Sequence, residues 1–450
     1  MRGVISTVYR GPLQLTKNAR DAVASRAGGL AKLDCRHHVV ALGYNAFRRD
    51  CGPGSNMIDH KDLEIWAGFL LDHSIGGVTA DDRVMIKGEA VCWPLMAVLE
   101  RKVIEAGGVP DVYLVPPNNE RGRAWSAGMA RIASQEQLGR IPGWHRERYE
   151  SMTKYVEILG AEDPEQFMGL TADQSQALVA ADRPFADIRL SRPWVITLFP
   201  TAASADLEEM DFATYEDFIV GASTTDPRPL REAEERLAPI VNDGKVIRIV
   251  TEHPSDGREL ALELDISHSQ ACLSYGLRNF PDGEVFTSPD ANSADGEIFV
   301  DLPVNYGGND IQGIYLKLEG GRIVEYSAEV GQEHLAAIIE TDDGSHRLGE
   351  VALGMNPGLD RVLKHPLFVE KVGGTLHIAI GASYEDCYVD DPASAKGKAE
   401  IEELAESGVL NRSAQHIDIV TDFREGGSGR TVHVDGIELA PREGVWEVVS

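Results

Sequence analysis

Basic residues are scarce in this 450-residue chain: 43 Lys and Arg stand against 72 Asp and Glu, a formal charge of −29. Affinity for nucleic acid comes mainly from Lys and Arg displacing counterions from phosphates, so this balance argues against a nucleic-acid partner. Cysteine is also sparse. Its five occurrences, Cys35, Cys51, Cys92, Cys272 and Cys387, are odd in number, widely spaced and free of any C-x-x-C pair for structural zinc or thiol exchange. They read as small, buried apolar residues of a protein kept in a reducing cytoplasm. Long apolar runs are missing as well. The best candidate, Trp66 to Gly77, is broken by Asp72 and His73, short of the roughly 18 to 20 uninterrupted apolar residues a bilayer span requires, so no membrane association is expected. The first 32 residues carry Arg2, Arg10, Lys17, Arg20, Arg26 and Lys32 against Asp21 alone. They lack the apolar core of a signal peptide and read as an extension, residues 1–60.

What is present is ordinary globular composition, 43% hydrophobic and 26% charged, enough for a packed core. Single cores stop growing near about 250 to 300 residues, so the length points to two domains. Asp82 to Lys87 (DRVMIK) has strand character, Pro94 to Glu105 has apolar residues at helical spacing, Gly107-Gly108 is a stop, and Asp111 to Val115 (DVYLV) is a second strand. This β-α-β unit predicts a parallel sheet. Glu147 to Leu159 is an amphipathic helix candidate, Trp194 to Phe199 another buried strand, and helical patterns follow at Ala205 to Ile219 and Leu230 to Leu237. Beyond about Asp243 short strands dominate, with a hairpin at Glu319-Gly320-Gly321 and one helix at Gln332 to Glu340. The expected architecture is an α/β domain with a parallel sheet over 61–240, then an α+β domain over 241–450 that carries the chemistry.

That chemistry gathers in four segments beside predicted strand ends: GEVFTSP (Gly283 to Pro289), LGEVALG (Leu348 to Gly354), GTLHIAIGASY (Gly374 to Tyr384) and QHIDIV (Gln415 to Val420). In His416-Ile-Asp418 the two polar side chains, at i and i+2 of a strand, project from one face and can grip one cation together. Glu350 lies in a run of small and apolar residues suited to burial, and a buried carboxylate needs a cation or a full set of hydrogen bonds. Glu284 and His377 repeat the pattern of a polar group inside an apolar run. Each segment alone has an ordinary explanation: a strand histidine is usually a satisfied core residue, and a Glu after Gly is usually a solvated turn. Two Glu, two His and one Asp within 135 residues form an oxygen and nitrogen donor set suited to one or two Zn, Co, Mn or Fe ions.

The four motifs, in this order, resemble those of the thermophilic-type metal-dependent aminopeptidases, and a weaker likeness extends to PWVITLFPTAASA (Pro193 to Ala205). The resemblance covers roughly Leu63 to Val434. It implies two divalent metal ions held by Glu284, Glu350, His377, His416 and Asp418, with Glu350 shared between them and Tyr384 as the catalytic phenol. It further implies two domains around a cleft, a homodimer, and release of N-terminal residues from small peptides or related amides. Some members carry an acid five positions before the strand histidine, where this chain has Val372, with Glu370 two residues earlier. The rival is a mononuclear Fe(II) ring-cleaving dioxygenase of the 2,5-dihydroxypyridine type, which the same superfamily resembles; such enzymes have His in place of Glu350 and lack Glu284 and His377. Adjacent His37 and His38 would face opposite sides of a strand, His346 reads as a loop residue, and the Gly-rich run from Arg424 to Gly429 as a turn.

Overall fold

The computed structural model describes residues 58–115, 127–160, 162, 171–306, 309–424 and 429–449. The basic amino-terminal stretch, the Cys35 to His38 cluster and most of the Arg424 to Gly429 run lie outside these residues. A parallel sheet has the order β2-β1-β3-β4-β8, formed by β1 (Arg83–Gly88), β2 (Val109–Leu114), β3 (Lys154–Leu159), β4 (Trp194–Leu198) and β8 (Asn279–Phe280). The predicted crossover is present: α1 (Trp93–Glu105) joins β1 to β2, with Pro94 at its first turn, where a missing N–H costs nothing. Its faces carry Leu95, Val98, Leu99 and Val103 into a core with Leu63, Trp66, Leu70, Val84, Ile86, Val195 and Leu198.

The amphipathic reading of Glu147 to Leu159 needs correction. A helix covers Gly143–Ser151, and after Met152 and Thr153 the chain enters strand β3 at Lys154. Because β3 lies between β1 and β4 and Tyr155, Val156, Glu157 and Ile158 are all buried, its apolar pattern does not alternate as a one-sided strand would. Helix α2 (Arg228–Asp243) spans the expected domain boundary, and β8, from beyond it, pairs with β4. Among the described residues no helix is long and apolar enough to cross a membrane.

Two antiparallel sheets make up the second half. The larger contains β5 (Val246–Glu252), β6 (Glu259–Asp265), β10 (Asp295–Val300), β11 (Val304–Tyr306), β12 (Asn309–Glu319), β13 (Arg322–Val330), β17 (Thr431–Val434), β18 (Ile437–Arg442) and β19 (Val445–Val448). The predicted hairpin joins β12 to β13. The smaller sheet has the order β16-β15-β14-β9-β7, from β7 (Cys272–Ser274), β9 (Glu284–Thr287), β14 (Leu348–Gly354), β15 (Thr375–Gly381) and β16 (His416–Asp422). One face of it contributes Val285, Val351, Leu353, Leu376, Ile378, Ile380 and Ile419 to a core shared with Ile249, Leu262, Ile298, Ile314 and Val432 of the larger sheet and Leu237 and Val241 of α2. Ile378 is fully buried at the centre of this layer. Ile378→Ala is therefore expected to lower unfolding free energy by about 2 to 5 kcal/mol, measurable by urea denaturation.

Candidate metal centre

The other face of the small sheet carries the polar residues, and strand register explains why. Directly opposed residues of an antiparallel pair share a face. The pairs Gly354↔Glu284, Glu350↔Ala379, Ala352↔His377, Ala379↔Asp418 and Gly381↔His416 therefore put Glu284, Glu350, His377, His416 and Asp418 on one side. The residues paired directly with the donors, Ala352, Ala379, Gly354 and Gly381, are small, and Phe286, paired with Ala352, lies on the same face.

Regular alternation would not deliver this arrangement. Leu348 and Val351 both face the apolar core, although they are an odd number of residues apart. A bulge between Leu348 and Glu350 absorbs the mismatch, and the extra residue, Gly349, turns Glu350 away from the core. A Cβ on Gly349 would sit 2.0 Å from the Ala382 carbonyl oxygen and 2.4 Å from that of Gly381. Gly283, at φ +149°, lets the chain pass against Asn356, where a Cβ would meet the Asn356 Cβ at 2.6 Å. Asn356 donates to the Asp282 carbonyl at 2.6 Å, so GEVFTSP and LGEVALGMNP are locked together beside Glu284.

The donors form two groups. Glu284, Glu350 and His377 each offer an atom within 4.8 Å of the others, as do Glu350, His416 and Asp418. Donors about 2 Å from one ion stand no more than about 4 Å apart, so a shift of under about 1 Å would close either group around an ion. Glu350 belongs to both. His416 turns Nδ1 to the Ala382 carbonyl at 2.7 Å, leaving Nε2 3.0 Å from Glu350 and 3.4 Å from Asp418. A carbonyl partner of this kind fixes the tautomer and orientation of a ligating imidazole. His377 Nε2 lies 3.6 Å from Glu284 and 3.8 Å from Glu350. Two buried carboxylate oxygens, Glu284 Oε2 and Asp418 Oδ1, accept no hydrogen bond. Orphaned acceptors aimed into a nest of donors fit a divalent cation.

The electrostatics agree with that fit. Burial favours neutral groups throughout, but the imidazoles of His377 and His416 outweigh it at Glu350 and hold its carboxyl below the ordinary value. Asp418 is likewise held far down by His416 and His377 against its burial. In return, and again against burial, Glu350 and Asp418 push His377 up to about 9 and His416 up to about 11. Tyr384 follows β15. Its backbone N–H donates to the Ser288 hydroxyl at 3.0 Å, and its ring meets His416 and Phe286 edge-on at 4.6 and 5.2 Å. Loss of hydration, followed by Glu350 and Asp418, raises its phenol.

The structure thus brings all six sequence-predicted residues together and adds others. Val372 packs in the apolar core, while Glu370 and Lys371 turn inward. Lys371 Nζ pairs with Glu284 and lies 3.2 Å from Glu370, and Glu370 approaches Asp418 closely enough to share a hydrogen bond. Glu370 is pushed well above its ordinary value by burial and by Asp418. The signal was available: an adjacent acid and base inside the apolar run LFVEKV. Asp282 and Glu234 of α2 are also buried beside Glu284, raised to about 8 and about 10 by burial first and neighbouring carboxylates next. The free thiols of Cys272 and Cys387 lie 3.6 Å apart. His346, expected in a loop, ends the short 3-10 turn Gly344–His346, outside the donor set and 3.6 Å from Glu340.

A model of the thermophilic metalloprotease (M29) family matches residues 59–436. The chain belongs to that family. It is 35% identical over 196 residues to aminopeptidase AmpS of Bacillus subtilis, a match covering 41% of this chain and 44% of that relative, so it spans less than half of the relative's length. Wild-type AmpT from Thermus thermophilus has the same fold, with a TM-score of 0.67 and 21% identity over 86% of this chain and 99% of that one. A 2,5-dihydroxypyridine dioxygenase from Pseudomonas putida shares the fold more distantly, with a TM-score of 0.50 and 13% identity over 88% of this chain and 99% of that one. Membership of the M29 family implies divalent metal, and the orphaned acceptors described above suit it.

Two outcomes are expected for this M29 chain. Gly349→Ala should weaken divalent-ion binding and lower the melting temperature together, because the bulge that aims Glu350 has no room for a methyl group; calorimetry and thermal unfolding read both. In chelator-treated protein, His377 and His416 have raised folded pKa values, so their pairing stabilises fully below the unfolded value near about 6.5 and is lost as pH rises through about 9 and about 11. Its melting temperature should fall across that window. Ion affinity should rise over the same range, because ligating imidazoles must be neutral.

Proposed function

We propose that this M29 chain is a metal-dependent aminopeptidase, removing N-terminal residues from small peptides or cleaving a related amide at the small antiparallel sheet. The single observation that carries the reading is that Glu350 belongs to both donor groups, the arrangement a carboxylate shared by two ions requires. Glu284 and His377 would complete one position, His416 and Asp418 the other, with Zn, Co or Mn suited to such oxygen and nitrogen donors. Divalent ions bound there lower the pKa of coordinated water from about 15.7 towards about 7 and polarise a carbonyl.

The remaining steps belong to the chain's own residues. Tyr384, whose phenol is raised, stays protonated across the physiological range. It is therefore a hydrogen-bond donor for the substrate oxygen on which negative charge grows. Glu370 lies beside Asp418 and as a carboxylate can take the proton released by the attacking water and pass it to the leaving amine, a transfer for which its raised pKa makes it the stronger base. The free α-amine of a peptide would serve as a nitrogen ligand to a divalent ion held at this face, which is what makes the reading an exopeptidase acting from the N-terminus. A homodimer in the cytoplasm completes the proposal; three free cysteines among the described residues are in keeping with a reducing compartment.

Turnover of aminoacyl amides and dipeptides after loading with defined metals tests this directly. Glu350→Gln and His416→Ala should lose both ion binding and turnover. Tyr384→Phe should bind ions normally and turn over roughly 10² to 10³ more slowly, the cost of one oxyanion donor. Oxygen uptake with an Fe(II)-loaded sample and a dihydroxypyridine, without amide turnover under any metal, would favour the dioxygenase reading instead.

A further inference from the structure

Lys371 is 3% exposed and sits within the donor face. Its ammonium pairs with Glu284 Oε1 and with Glu370 Oε2. The backbone holds it there from both sides: its N–H bonds the Phe368 carbonyl at 3.0 Å, and its carbonyl accepts from the Asn356 N–H at 3.1 Å. Asn356 in turn donates to the Asp282 carbonyl and its neighbour Met355 to that of Gly283, the two residues preceding Glu284. Lysine and Glu284 are thus held by one local framework.

Charge explains what such a lysine does. Among the described residues, the cations paired with Glu284, Glu350, Glu370 and Asp418 are Lys371, His377 and His416. Both imidazoles must be neutral to ligate a metal. Lys371 then remains as the fixed positive charge among several buried carboxylates. Geometry adds a second effect. With Oε1 of Glu284 engaged by Lys371, its Oε2 is left facing His377 without a hydrogen bond.

We propose that Lys371 is a positioning residue that makes Glu284 a one-oxygen ligand, and so sets the affinity of the ion held through Glu284 far more than that of the ion held through His416 and Asp418, which it reaches only by way of Glu370. This rests on the two-ion reading above. Removing a group that orients a metal ligand typically weakens binding by about 10- to 100-fold, and here the loss falls chiefly on one ion of the pair.

Titration calorimetry with Zn²⁺ alone on the full chain tests it, with thermal unfolding in chelator to verify that each variant folds. In Lys371→Met one ion should bind about 10- to 100-fold more weakly while the other changes by much less. Lys371→Arg, which keeps the charge, should recover much of the loss. In a Glu284→Gln background Lys371→Met should add nothing, a coupling that general damage to the fold would not produce. Equal weakening of both ions, unchanged or tighter binding, no recovery in Lys371→Arg, or a full effect persisting without Glu284 would each overturn the assignment. Wild-type protein that takes up no Zn²⁺ would instead overturn the aminopeptidase reading itself.

Discussion

Strand register in the small antiparallel sheet is the constraint on which the site depends. With side chains alternating between two faces, apolar residues at one set of positions bind the sheet to its larger neighbour, and the interleaved positions must then point away from that core. Val285, Val351, Leu376, Ile378 and Ile419 supply the anchoring face. Glu284, Glu350, His377 and Asp418 occupy the alternate positions on the same strands. The hydrophobic effect thus assembles the polar cluster indirectly: each carboxylate is carried into place by the burial of its neighbours in sequence.

Such a cluster is costly in isolation. Buried carboxylates close together repel one another and lose hydration, and several respond by taking up protons, as the raised values at Glu234, Asp282 and Glu370 indicate. Those that remain charged, Glu350 and Asp418, do so against two imidazoles. The fold alone does not define the chemistry, since a peptidase and a ring-cleaving dioxygenase share its outline. The chemistry must come from the side chains the fold presents, here Glu350 together with Glu284 and His377.

Much of this was legible in the sequence because the relevant signals are local. The β-α-β unit of β1, α1 and β2, the β12–β13 hairpin and the His416-Ile-Asp418 pair each rest on spacing within a few residues. The placements that failed rest on contacts distant in sequence. The β3 strand was obscured because it is covered on both sides, which leaves no alternation to detect. Glu370 stands two residues before the position where the acid is expected, and counting back from His377 along an extended chain does not bring it to the site, whereas a short helix, Pro366–Val369, and the turn after it bring its carboxyl inward. Lys371 gave a sign, a base beside Glu370 inside an apolar run, but its partner Glu284 is 87 positions away.

Gly349 has no functional group, yet it determines the direction in which Glu350 points. The residue lying against it is not a ligand but the backbone of Gly381 and Ala382, and that same Ala382 carbonyl orients His416. One peptide segment therefore limits what can occupy the bulge and also sets the tilt of an imidazole. Inventories of reactive side chains would overlook such a position, although even a methyl group there reaches both halves of the donor set at once.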